Sequence, residues 1–265
     1  MRYEVLGPVR AVTGDVFLDI RATKMQLLLT TLLVREGKAV TAQQLIGELW
    51  GDNPPRRAMA AVHVYISQLR KVLADLYGPV ARDGGSGVQE ATLLTRPCGY
   101  AFQLADAQLD TLDLRALITE GRAHSTVGDH ERASDAFSRA AALWRGPSPC
   151  DTAEGPIIST FATWAGEARL ECWELMAEAY LASGRHREII APLRTLVAQH
   201  PLREAFHRLL MLALYRSERQ GEALMVYQEA WKSLDRSLGV EPGRLLKQVQ
   251  QQIIRGDRCL DLSAG

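Results

Sequence analysis

The sequence predicts a mainly α-helical protein with a small β component, divided into an N-terminal domain at residues 1–104 and an all-α domain at residues 111–256. Three observations predict it. Residues 56–76 carry Val62, Ile66, Leu69, Leu73 and Leu76 at alternating four- and three-residue steps, the buried stripe of one helix. Two runs rich in β-branched and aromatic residues, 92–95 and 100–104, flank Arg96-Pro-Cys-Gly99, the pattern of a hairpin. Beyond residue 110, small and aromatic residues return at the offsets of stacked helical hairpins.

Composition bounds the function. A chain of 265 residues is long enough for two domains or one large one, and 47% hydrophobic residues describe a globular protein with a real core. The formal charge of zero conceals an asymmetry: residues 1–104 hold 12 Lys+Arg against 9 Asp+Glu, and the remainder holds 19 against 22. A basic front keeps nucleic acid among the partners. Cys98, Cys150, Cys172 and Cys259 share no short spacing, which argues against a zinc knuckle or a redox motif and for free thiols in a reducing compartment. The N-terminus lacks a signal-peptide pattern, and the apolar run at 25–34 is too short to span a bilayer. The chain reads as cytoplasmic, without membrane contact.

In chain order, residues 3–9 and 16–20 read as two strands around a Thr13-Gly-Asp15 turn, a small leading antiparallel sheet. Met25, Leu28, Leu29, Leu32 and Leu33 repeat at helical period, with Gly37 where a C-terminal cap is expected. Thr41-Ala-Gln-Gln44 has the capping-box pattern, and Leu45, Ile46, Leu49 and Trp50 continue that second helix up to Gly51 and Pro54-Pro55. The helix at 56–76 is third. Tyr77-Gly-Pro and Asp83-Gly-Gly-Ser-Gly87 then make a flexible connection to the hairpin. Three helices followed by a basic-tipped hairpin are the parts of a winged helix-turn-helix, whose third helix enters the major groove and whose wing reaches the neighbouring backbone or minor groove. The glycines at 84–87 precede no Gly-Lys-Ser/Thr and no helix, so they are not a phosphate loop.

The outer face of the third helix fits this reading. Arg56, Arg57, Arg70 and Lys71 occur with no acidic residue between Asp52 and Asp75, and His63, Tyr65, Ser67 and Gln68 lie among them. Such a face is also what an ordinary solvated helix presents; the capped helix before it and the hairpin after it decide for the groove.

The back half carries Leu117, Gly121, Gly128, His130, Ala133, Phe137 and Ala140 at tetratricopeptide-like offsets, then Trp173, Ala177, Tyr180, Gly184, His186, Leu193 and Pro201 at the corresponding ones. Ala223, Tyr227 and Ala230 follow Ile189, Leu193 and Leu196 by 34 residues, with Glu218 where glycine is usual. The first two repeats are 56 residues apart, so about 22 extra residues form a long surface connection that includes 144–149 and 154–156. Stacked hairpins commonly hold a protein segment on their concave face.

Motifs for catalysis are missing. His63, His124, His130, His186, His200 and His207 include no His-Glu-x-x-His, no serine lies in Gly-x-Ser-x-Gly, and no carboxylate pair stands out by spacing. The chain is therefore expected not to be an enzyme, and to carry no catalytic residue, metal or cofactor.

Thr41-x-x-x-Leu45-x-x-x-Leu49-Trp50, Val64-x-Ile66-x-x-Leu69-Arg70-Lys71 and Arg96-x-x-Gly99-Tyr100 together resemble an OmpR-type winged helix. The repeat half, ending in Leu238-Gly-Val-Glu-Pro242, resembles the bacterial transcriptional activator domain. Their order is similar to that of the SARP-type antibiotic regulatory proteins across nearly the whole chain. The resemblance implies a transcriptional activator that binds direct repeats in double-stranded DNA as two protomers side by side. It also implies recruitment of RNA polymerase holoenzyme to a secondary-metabolite gene cluster. By position, Val64 and Gln68 are base-facing, Tyr65, Arg70 and Lys71 lie near phosphates, and Arg96 is the wing arginine of the minor groove. Thr41, at the start of the second helix, adds a phosphate contact. Some relatives carry arginine where Gln68 stands, and a glutamine amide pairs best with adenine. The alternative is a helical-repeat adaptor whose winged helix serves protein docking.

Overall fold

The computed structural model describes residues 1–14, 16–20, 22–77, 92–147 and 155–260. The chain divides into two compact units: Met1–Ala116 with Ala142–Arg169, and Leu117–Ala141 with Leu170–Gly265.

The first unit opens on a sheet. Strands β1 (Arg2–Glu4), β2 (Arg10–Thr13) and β3 (Val16–Asp19) pair antiparallel, and the edge beyond β1 is filled in parallel by β6 (Gln108–Leu109). The single strand expected at 3–9 is broken, because Gly7 at φ +135° and Pro8, which has no N–H to give a ladder, turn the chain into a separate strand at 10–13. The expected turn stands, with Thr13 opposite Val16; its Asp15 lies outside the described residues.

Helix α1 (Thr23–Val34) buries Leu28, Leu29, Leu32 and Leu33. It ends at Arg35, and Gly37, two residues on at φ +70°, donates its N–H to Phe102 O at 2.9 Å. Helix α2 (Ala42–Trp50) has both bonds of the capping box: Gln44 N–H to Thr41 Oγ1 at 3.1 Å and Thr41 N–H to Gln44 Oε1 at 2.9 Å. Helix α3 (Ala58–Tyr77) buries Val62, Ile66, Leu69 and Leu73; the side chain of Leu76 lies outside the described residues, as does the connection at 78–91. Strands β4 (Thr92–Arg96) and β5 (Gly99–Gln103) then form the hairpin, with Arg96 paired to Gly99 across a two-residue turn.

A stack of helices follows, of which Leu117–Ala141 and Leu170–Gly265 make up the second unit. Helices α4 (Asp110–Thr126) and α5 (His130–Ala141) make the first hairpin, α6 (Pro156–Ala182) and α7 (His186–Gln199) the second, α8 (Glu204–Arg216) and α9 (Gln220–Leu238) the third, and α10 (Arg244–Arg255) packs on α8 and α9. Phe206, Leu209, Met211 and Leu214 of α8 sit at the centre of one continuous core. Of the repeat residues, Ala133, Phe137, Ala140, Ala177, Leu193, Ala223 and Ala230 are buried, and Trp173, Tyr180 and Tyr227 pack against that core half-buried. At Gly121 a Cβ would come within 2.5–2.8 Å of the fully buried Phe137 ring, so only glycine allows that ring to seat.

The insertion between the first two repeats is less of a surface connection than its length suggests. Residues 148–154 lie outside the described residues, but from Pro156 the chain is helical, and the first half of the 27-residue α6 belongs to the first unit. Its N-terminus is buried: Ile157 and Ile158 donate their N–H groups to Glu48 Oε1 and Oε2 at 2.7 and 3.0 Å. A buried carboxylate thus satisfies two amides that a helix start leaves orphaned, with favourable alignment to the helix dipole.

Candidate nucleic-acid interface

Helix α3 has one face buried and one in solvent, so its side chains divide by position. Val64, Ser67, Gln68 and Lys71 recur at i, i+3, i+4 and i+7 and are all exposed, forming one row along the helix. Val64 is 52% exposed, an apolar side chain amid polar ones that no packing need explains. His63 is also exposed and meets the Tyr100 ring edge-on, with centroids 6.5 Å apart at 73°. Arg56 and Arg57 lie just before the helix, both in solvent.

Two expected contacts have structural duties in addition. Tyr65 is half-buried against Trp50, with centroids 6.2 Å apart, and so joins α3 to α2. Arg70 donates from Nε and Nη2 to Leu93 O at 3.1 and 2.9 Å, and from Nη2 to Thr95 Oγ1 at 2.8 Å. Its guanidinium fork is thereby engaged by β4, whereas Lys71 points out from the same turn. Spacing alone cannot separate two adjacent cations into a brace and a contact; only the position of the hairpin does so.

The hairpin is fixed on its other side as well. Val40 and Tyr100 exchange both backbone bonds, at 2.7 and 2.9 Å. Gly99, at φ +151°, passes so close that a Cβ would overlap the Val40 carbonyl oxygen. The Arg96 side chain projects from the tip, exposed, and Thr41, partly exposed, uses its hydroxyl as acceptor for the α2 cap. The structure therefore brings Thr41, the α3 row and Arg96 onto one framework of α2, α3 and the β4–β5 hairpin. Trp50 and Tyr100, which the sequence places on the second helix and in the hairpin, take up joining roles that spacing does not show, Trp50 against Tyr65 and Tyr100 against Val40 and His63; Glu48, bonded to Ile157 and Ile158 N–H, carries no such signal in the sequence.

A helix-turn-helix with an exposed polar recognition row and a braced, arginine-tipped hairpin defines a winged-helix DNA-binding protein, here followed by helical repeats. The family model for the transcriptional regulatory protein, C terminal, matches residues 18–81, and that for the bacterial transcriptional activator domain matches residues 109–254. The chain is 37% identical over 260 residues to regulatory protein AfsR of Streptomyces griseus, covering 98% of this chain and 25% of AfsR. It is 36% identical over 256 residues to transcriptional regulator RedD of Streptomyces coelicolor, covering 97% of this chain and 71% of RedD. A solved structure of Mycobacterium tuberculosis EmbR, in complex with a low affinity phosphopeptide, superposes with a TM-score of 0.84 at 31% identity, over 96% of this chain and 65% of EmbR. The chain belongs to the SARP family of regulators with a bacterial transcriptional activator domain. It spans about a quarter of the length of AfsR. Among the described residues no helix is long and apolar enough to cross a membrane.

Proposed function

We propose that this chain is a cytoplasmic, sequence-specific transcriptional activator that binds direct repeats near a promoter as two protomers side by side. It recruits RNA polymerase holoenzyme there and so switches on a secondary-metabolite, antibiotic-type gene cluster. The exposed row of Val64, Ser67, Gln68 and Lys71 on the solvent face of α3, opposite its buried stripe, carries this reading. Lys71, Arg56, Arg57, Thr41 and Arg96 supply phosphate contacts, which position the helix without reading sequence. Gln68 reads adenine through its amide, and the open methyl groups of Val64 suit a thymine methyl. The third hairpin and α10 leave Met225, Trp231, Leu245 and Ile254 largely in solvent, apolar surface that fits a protein partner such as polymerase.

A footprint on a promoter of the neighbouring gene cluster, with and without polymerase, tests the whole reading. Protection over two repeats one helical turn apart, extended when polymerase is added, is expected. No retardation at any DNA sequence would leave only a protein-docking role for the winged helix. Within the site, Gln68→Ala should reduce the preference for the cognate repeat over a scrambled one by about 1–3 kcal/mol in a binding titration. An unchanged preference removes Gln68 as a reader.

A further inference from the structure

The first unit contains a cavity of about 440 Å³, away from the recognition row, that the DNA-binding reading does not use. One wall is the end of α1 and the residues after it, which contribute Arg35, Glu36 and Lys38; the other is α4 and the first half of α6, which contribute Arg115, Phe161 and Trp164. The Phe161 and Trp164 rings lie 5.7 Å apart and only 33° from parallel. The Arg115 guanidinium stands 5.1 Å from the Trp164 centroid, which fixes the ring through a cation–π contact. The lining thus holds three cations and a single carboxylate beside two aromatic rings. Arg35 and Lys38 are both exposed, and among the described residues neither is ion-paired, so with Arg115 they outnumber the one carboxylate of the lining, Glu36.

We propose that this cavity is a binding site for a small, planar aromatic anion. Its volume lies in the range of small-molecule sites, which bury most of a ligand against apolar and aromatic walls and orient it with a few polar groups. Phe161 and Trp164 supply the wall, and Arg35 and Lys38 supply the charge that selects an acid over a neutral ring system of the same shape. The lining sets its cations among aliphatic side chains such as Leu33, Leu112 and Ile157 and the two rings, so charge interrupts the continuous apolar face that a protein segment needs, which favours a small molecule. The site belongs wholly to the first unit.

The test is a fluorescence titration of the full chain, without DNA, using 1-anilinonaphthalene-8-sulfonate and its uncharged counterpart N-phenyl-1-naphthylamine. The sulfonate should occupy one saturable site and bind at least threefold more tightly than the neutral probe. The double variant Arg35→Glu, Lys38→Glu changes two exposed side chains and should weaken the sulfonate at least tenfold while leaving the neutral probe unchanged. Should that variant melt earlier than the parent, Arg35→Gln with Lys38→Gln takes its place, with at least a threefold loss expected. Equal binding of the two probes, or a smaller loss than these in the folded variant, overturns the assignment. Since no DNA is present, the result is independent of operator binding.

Discussion

Arg70 and Arg96 are both arginines of the interface, yet their surroundings give them different work. The Arg70 fork makes three hydrogen bonds to β4, and such charge-assisted bonds from a planar guanidinium fix geometry as well as energy. Arg70→Ala should release the hairpin: operator binding weakens, amides of residues 92–96 exchange faster with solvent, and the salt dependence of binding keeps its slope. Arg70→Lys should not restore it, because an ammonium cannot serve both acceptors as a fork does. Arg96 is at the exposed tip, so Arg96→Ala should weaken binding at every sequence and flatten the slope of log affinity against log salt by about one unit. If instead Arg70→Ala flattens the slope and leaves exchange unchanged, the brace is a phosphate contact after all.

At the scale of elements, the turns between paired helices repeat one construction. Asp129, Arg185 and Arg219 donate their N–H groups to the carbonyls of His124, Tyr180 and Leu214, five residues back, and the residue before each is left-handed: Gly128 at φ +79°, Gly184 at φ +78° and Glu218 at φ +62°. This is the Schellman closure, for which glycine has no steric cost and a side chain costs about 1–2 kcal/mol. Glu218 is exposed and, among the described residues, its side chain has no hydrogen-bond or ion-pair partner to offset the strain. Glu218→Gly should therefore raise the urea midpoint, adding up to about 1 kcal/mol after the extra unfolded-state entropy of glycine is subtracted. Gly121→Ala should do the reverse, since a methyl group against Phe137 overpacks the core at roughly 1–3 kcal/mol, more than the helix propensity gained. Both positions were legible in the sequence, as were the Thr41–Gln44 cap and the α3 stripe, because local chemistry or periodicity determines each. Glu48 was not legible. Its carboxylate follows Leu45 and Ile46 like any surface residue of an amphipathic helix, and only the arrival of Ile157 and Ile158, more than a hundred residues later, makes it a buried cap. The break in the strand at 3–9 is hidden for a similar reason: β-propensity outweighs Gly7-Pro8, and only the sheet register shows Arg10–Thr13 as a separate strand between β1 and β3.

At the scale of the molecule, the family models place residue 109 onward in the activator domain, whereas residues 110–116 and 142–169 fold with the winged helix in the first unit. A charged cluster holds that discontinuous unit. Asp110 Oδ2 accepts from Val5 and Leu6 N–H at 2.8 Å each, Arg145 approaches it at 3.7 Å, and Glu4 is bonded to Arg2, Arg10 and Arg145. Burial pushes the Asp110 carboxyl up to about 6, and the two amides, Arg145 and the repulsion of Glu4 modify that rise without cancelling it. The folded state thus holds a proton that the unfolded chain releases near 3.8. Stability from this group is full below 3.8 and is lost as pH rises through 6, opposite to the usual salt-bridged carboxylate. Between pH 5 and pH 7 the loss amounts to about 1.4 kcal/mol, one unit of proton affinity. His207 acts in the other direction, because burial lowers its pKa and its stabilisation grows as pH rises toward 6.5. Comparing the parent with Asp110→Asn removes that background, since His207 is common to both, and the asparagine oxygen can still accept from Val5 and Leu6. Urea midpoints at pH 5 and pH 7 should fall further in the parent than in the variant by the equivalent of that difference; equal changes would mean that Asp110 is ionised throughout and that Arg145, not burial, sets its proton affinity.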